Sequence, residues 1–225
     1  MKDKEFMQGL SQLKKPLTSR FRKKYVESLA LGLLQHCYGD AYADFYVYDA
    51  PDIQDKDKLT GIEVVEAIGY EEAQIEGEFT KFRLHSSIKD KERSKHIIEH
   101  NGAKIEEYGI SYPIKYSNDE RLIFQNAIRK KMEKLALYKS RGFEKIGLFV
   151  FYNEPPIPIK IEELKKCFDD VLDEYRDKFD FMYFGYSCGL IYYDISKDDI
   201  QVKTIERNDY DKLKLEARLK VEVTK

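Results

Sequence analysis

Hydrophobic positions along the chain alternate between helix-length stripes and short strand-length runs. In residues 18–38, Phe21, Tyr25, Val26, Leu29, Leu33 and Leu34 recur at three- and four-residue spacings, the period of one helix face. Thr18 or Ser19 is available as N-cap and Gly39 follows the last apolar position, so the pattern predicts an amphipathic helix over 18–38. Residues 42–48 are rich in aromatic and β-branched side chains and run into the turn-like Asp49-Ala50-Pro51, which predicts a strand and then a short extended segment at 52–54. After a polar stretch at 55–60, residues 61–68 (Gly-Ile-Glu-Val-Val-Glu-Ala-Ile) are short and apolar enough for a buried strand despite two carboxylates.

Between 71 and about 100 the charges are dense and the helical period weaker, so one or two peripheral helices are expected and 71–116 reads as an insertion. Helical order returns over 117–140. Ser117 or Asn118 can cap, Glu120 supports a capping arrangement, and Leu122, Ile123, Ala127, Ile128, Leu135 and Tyr138 form the stripe, with Gly142 beyond its end. Residues 145–152 predict a second buried strand, 161–179 another amphipathic helix, and 181–195 a strand or hairpin around Gly185 and Gly189. Residues 1–17 read as a flexible arm and 208–225 as a charged tail or edge helix. The order predicts one mixed α/β (α+β) domain: a central mixed sheet flanked by helices, plus a helical insertion, with 61–68 and 145–152 as central strands.

Composition narrows the function. Among 225 residues, 39 are Lys or Arg and 41 Asp or Glu, so no global positive field marks a nucleic-acid binder and any such site must be local. The basic cluster Lys14, Lys15, Arg20, Arg22, Lys23, Lys24 reads as a solvated arm. Cys37, Cys167 and Cys188 are far apart and form no CxxC pair, which argues for buried thiols and against a disulfide framework or zinc site. No apolar run approaches the roughly 18 residues of a membrane span, and no secretory stretch opens the chain, so a cytoplasmic location without a membrane partner is expected. His36, His85, His96 and His100 show no ligand spacing beyond the four residues separating the last two, and read as exposed. The aromatic residues of 179–193 could stack bases, but in a β-rich segment they read as core.

The chemistry concentrates in the carboxylates. A carboxylate inside a buried strand loses solvation and needs a cation, a metal or donors to compensate it, which singles out Glu63. Strand alternation puts Glu63, Val65 and Ala67 on one face and Ile62, Val64 and Glu66 on the other. Asp52 lies just after a turn, and two adjacent strands presenting Asp52 and Glu63 side by side form a hard-oxygen site suited to Mg²⁺ or Mn²⁺.

Pro51-Asp52, a spacer and Gly61-Ile62-Glu63-Val64-Val65 resemble the PD-(D/E)XK, or restriction-endonuclease-like, superfamily, over residues 18–152. The resemblance implies a restriction-endonuclease-like core that hydrolyses phosphodiester bonds of DNA or RNA, with Asp52 and Glu63 as metal ligands and Glu27 on the preceding helix as a further acid. Val65 stands where the superfamily pattern carries lysine. Variants of the pattern draw that lysine from a neighbouring helix, where Lys131 and Lys134 are the matching candidates. The alternatives are a catalytically inactive descendant that binds nucleic acid or protein, or an unrelated α/β protein with a structural Glu63. A homodimer is compatible with either.

Overall fold

The computed structural model describes residues 13–84, 87–107, 109–112, 117–152, 160–187 and 189–223. Helix α1 (Ser19–Tyr38) is followed by a 3-10 turn at Gly39–Tyr42, β1 (Tyr46–Val47), β2 (Ile53–Gln54) and β3 (Thr60–Glu66). Next come α2 (Tyr70–Leu84), α3 (Ile88–His100), the hairpin of β4 (Lys104–Ile105) and β5 (Ile110–Ser111), then α4 (Ser117–Met132) and α5 (Leu135–Lys139). The chain continues with β6 (Lys145–Phe151), α6 (Ile161–Leu172), β7 (Phe181–Tyr186), β8 (Gly189–Asp194), β9 (Asp199–Thr204) and α7 (Arg207–Glu222). The fold is mixed α/β.

Both apolar runs become neighbouring strands at the middle of a seven-stranded sheet of order β1-β2-β3-β6-β7-β8-β9. β3 and β6 pair in parallel from Thr60↔Lys145 to Glu66↔Phe151, and β7 is parallel to β6, while the outer pairings are antiparallel. Parallel strands carry helices on both faces, which is why their sequences run apolar without strict alternation. Ile62, Val64, Phe149 and Phe151 face one layer with Leu29 and Leu33 of α1. Leu148, Val150 and Met182 face the other with Ile128 of α4 and Phe168 of α6, and the half-buried Val65 packs against that second layer.

Several expectations are corrected. Residues 42–48 are not one strand: the 3-10 turn takes Tyr42 into the α1-side core, and only Tyr46 and Val47 pair. The helix expected over 117–140 breaks after Met132, where the Lys134 N–H bonds back to the Lys131 carbonyl at 3.1 Å, three residues away instead of four. The buried Glu120 carboxylate accepts the Tyr152 hydroxyl at 2.7 Å. The expected Ser117 and Asn118 caps fall on side chains outside the described set. Helix α6 stops at Leu172, short of 179. Of the two alternatives for 208–225, tail or helix, the helix is found over Arg207–Glu222, where Tyr210, Ala217 and Val221 give α7 a buried face. Tyr210 and Ala217 of that face join the α1-side core. Of the arm, residues 1–12 lie outside the description, and Leu17 is buried.

Residues 70–112 gather around a separate small core of Ile75, Ile98 and Ala103. Cys167 is a buried thiol, Cys37 only half-buried, and Cys188 falls outside the described residues. Among the described residues no helix is long and apolar enough to cross a membrane.

Candidate active site

The site starts from a sharp turn. Residues 49–52 bend the chain through a cis Ala50–Pro51 bond into β2, and Gly61 of β3 lies beneath the Pro51 ring, leaving no room for a Cβ. Since β2 begins only at Ile53, the Val64 N–H of β3 has no backbone partner there; the Asp52 carboxylate accepts it instead, Oδ2 lying at 2.9 Å. Asp52 thereby sits at the sheet's margin, within reach of helices from both faces.

Both helices reach it. Lys131 of α4 places Nζ 2.5 Å from Glu63 Oε2 and 3.3 Å from Asp52 Oδ2. From the other side, Lys23 of α1 lies 3.3 Å from Asp52 Oδ1 and 3.4 Å from Glu27 Oε1, and Lys24 lies 3.8 Å from Glu27 Oε2. Acids and bases alternate through Glu27, Lys23, Asp52, Lys131 and Glu63. All three acids are at least 95% buried, whereas the Lys23 side chain is 60% exposed.

Burial does not act equally on these acids. It pushes Glu27 up to about 7, reinforced by the neighbouring Asp52 charge and opposed by Lys23 and Lys24. Burial and the Asp52 charge likewise raise Glu63. At Asp52 burial also works upward, but Lys131, the Val64 N–H and Lys23 outweigh it and hold the carboxyl below its ordinary value. Glu63 Oε1 is sealed from solvent. Beside the carboxylate, the buried Tyr138 hydroxyl is raised by burial and by the charge and hydrogen bonding of Glu63.

A cleft of about 370 Å³ reaches Lys23, Glu27 and Lys131 of the cluster and is lined also by Arg22, Glu66, Lys130 and Lys134, while Asp52 and Glu63 lie behind that lining. Lys134 lines the cleft without touching the carboxylates: the break after Met132 turns it outward, and it is exposed. The structure thus brings Asp52, Glu63 and Lys131 into direct contact, joins Glu27 through Lys23, and leaves Lys134 at the rim. No three acidic, histidine or cysteine side chains among the described residues are arranged to hold a metal ion, for Lys131 stands between two of the acids and Lys23 and Lys24 engage the third.

Sequence reasoning set Lys23 aside within a solvated arm, and that reading is overturned. Arg20 to Lys24 lie on α1, where buried Arg22 grips Glu66 through two bonds of 2.7 Å. The i, i+4 spacing of Lys23 and Glu27 was the available signal. His36, His96 and His100 are exposed and remote from the cluster, the last two stacked on one face of α3, and His85 lies outside the described residues. The described aromatic residues of 179–193 are core or packed against it. No family model, curated protein or solved structure matches the chain.

Proposed function

We propose that this chain hydrolyses phosphodiester bonds of nucleic acid with a divalent cation, Mg²⁺ or Mn²⁺, held by Asp52 and Glu63. The observation that carries the reading is Lys131, a lysine from a separate helix whose Nζ lies 2.5 Å from one acid and 3.3 Å from the other. What supports the cation is the donor set, two hard-oxygen carboxylates that converge on one ammonium. Asp52 and Glu63 would hold the cation, whose chemistry there would be charge neutralisation at the phosphoryl group and acidification of water. The chain's own groups supply the remainder. Asp52, held ionised, anchors the site. The Lys131 ammonium donates to charge developing on phosphoryl oxygen, the part that Val65 cannot play. Glu27, titrating near neutrality, is poised to accept a proton on its carboxylate. The basic lining of the cleft fits a phosphate chain.

A second reading has its own support: Lys131 already neutralises both carboxylates, as in an inactive, restriction-endonuclease-like binding module. Labelled DNA and RNA oligonucleotides incubated with Mg²⁺ or Mn²⁺ separate the two. The nuclease reading expects cleavage that Asp52→Asn, Glu63→Gln or Lys131→Ala each reduce at least about 100-fold, with Mn²⁺ raising the melting temperature of wild type and Lys131→Ala but of neither carboxylate variant. Wild-type protein that binds oligonucleotide and cleaves neither polymer decides for the module.

A further inference from the structure

The turn that carries Asp52 also carries two tyrosines in the open. Tyr46 is 36% exposed and Tyr48 61%, and their rings meet edge to face with centroids 5.9 Å apart. Val47 between them packs against the α1-side core, so the tyrosines point away from it by strand alternation. The Tyr48 N–H donates to the Asp52 carbonyl at 2.9 Å, a bond that sets the two Cα atoms about 5–6 Å apart. Over the same turn, exposed Arg141 donates from Nη1 to the Ala50 carbonyl at 2.6 Å, so a guanidinium is held two residues along the chain from Tyr48. β1 is two residues long, too short to template another strand, which leaves the ring faces and not the strand edge as the surface on offer.

We propose that Tyr48, braced by Tyr46, is a stacking platform for a nucleobase of the strand whose phosphate sits at Asp52 and Glu63, and that the substrate is therefore single-stranded nucleic acid. The proposal rests on the phosphodiester reading above and names the substrate class for it. Stacking on an exposed ring needs a base with a free face, and a base inside a duplex has both faces covered. Charge complementarity sets the occupant: Arg141 at the Ala50 carbonyl and Lys23 and Lys131 at the Asp52 carboxylate put phosphate-binding cations along the turn.

The test measures wild-type binding in EDTA to three fluorescent probes of equal length: a single-stranded oligonucleotide, a duplex, and a wholly abasic strand of the same charge. Stacking predicts that the base-bearing single strand is preferred over the abasic one by roughly 5- to 100-fold per stacked base. The ratio should collapse toward one in Tyr48→Leu and fall less in Tyr46→Leu. The proposal is overturned if Tyr48→Leu keeps the wild-type ratio, if duplex binds as tightly as single strand, or if no probe binds. Mn²⁺-dependent hydrolysis of bis(4-nitrophenyl) phosphate, a diester without bases, judges the chemistry separately by comparing wild type with Asp52→Asn. Base preference without hydrolysis of diester or polymer leaves the platform standing and removes the nuclease reading; hydrolysis without base preference does the reverse.

Discussion

Glu63 and Glu66 stand on the same strand, three residues apart and on opposite faces, and both are largely withdrawn from water. Glu66 meets its own arginine, with two parallel 2.7 Å bonds from Arg22 that occupy both oxygens. Glu63 shares one ammonium with Asp52, has the neutral Tyr138 hydroxyl as its other neighbour, and is raised above its ordinary pKa. A bidentate pair satisfies a buried carboxylate completely and ties α1 to the sheet. Glu63 has only a share of one ammonium, while Asp52 has Lys23 and the Val64 N–H besides, and that deficit at Glu63 suits a site awaiting a further positive charge. Burial alone does not distinguish these two acids; the partners of their oxygens do.

The largest effect should come from breaking the saturated side. Arg22→Ala strands a buried carboxylate and should cost about 3–5 kcal/mol in urea unfolding at pH 7. Lys131→Met should cost less, about 1–3 kcal/mol, because Glu63 can take up a proton while Asp52 keeps Lys23 and the Val64 N–H. Equal losses for the two variants would erase the distinction.

An intermediate effect should follow from the turn. Gly61→Ala puts a methyl against the Pro51 ring, with Ile146 and Phe143 closing the other directions. The fold should lose about 1–3 kcal/mol. Displacement of Asp52 should also abolish the Mn²⁺-induced rise in melting temperature, whereas Glu66→Gln, on the other face, should keep it. A retained rise in Gly61→Ala would mean that the turn does not position the site.

The smallest effect is on pH dependence. Glu27 rises from an ordinary 4.5 to about 7, so the native state holds its proton over a range where the unfolded chain has released it. Its contribution is present below about pH 4.5 and is lost as pH rises toward 7. Glu63, also raised, acts in the same direction, while Asp52, lowered, gives stability that is lost only as acid protonates it. Glu27→Gln should match wild type near pH 4 and exceed it by about 1–2 kcal/mol at pH 8, read from unfolding midpoints. A constant difference between those pH values would contradict the raised carboxyl.

The sequence by itself determined the elements whose signal is local. Apolar runs of strand length placed β3 and β6, helical stripes placed α1 and the first part of α4, and a carboxylate in a buried strand marked Glu63, because burial writes its period directly into the chain. Its pattern did not separate the 3-10 turn from β1, nor show that α4 breaks after Met132, where no glycine or proline stands and the buried Leu135 and Tyr138 of α5 set the new direction. α7 was hard to read because its buried positions are few among many charges. Tertiary structure alone decided which cations Asp52, Glu63 and Glu66 meet. Lys131 and Asp52 are 79 residues apart and Arg22 and Glu66 44, and no local spacing encodes such pairs. They exist because the sheet brings β3 beside the turn at Asp52 and packs α1 and α4 on opposite faces, so one strand meets a saturating arginine on one side and a shared lysine on the other.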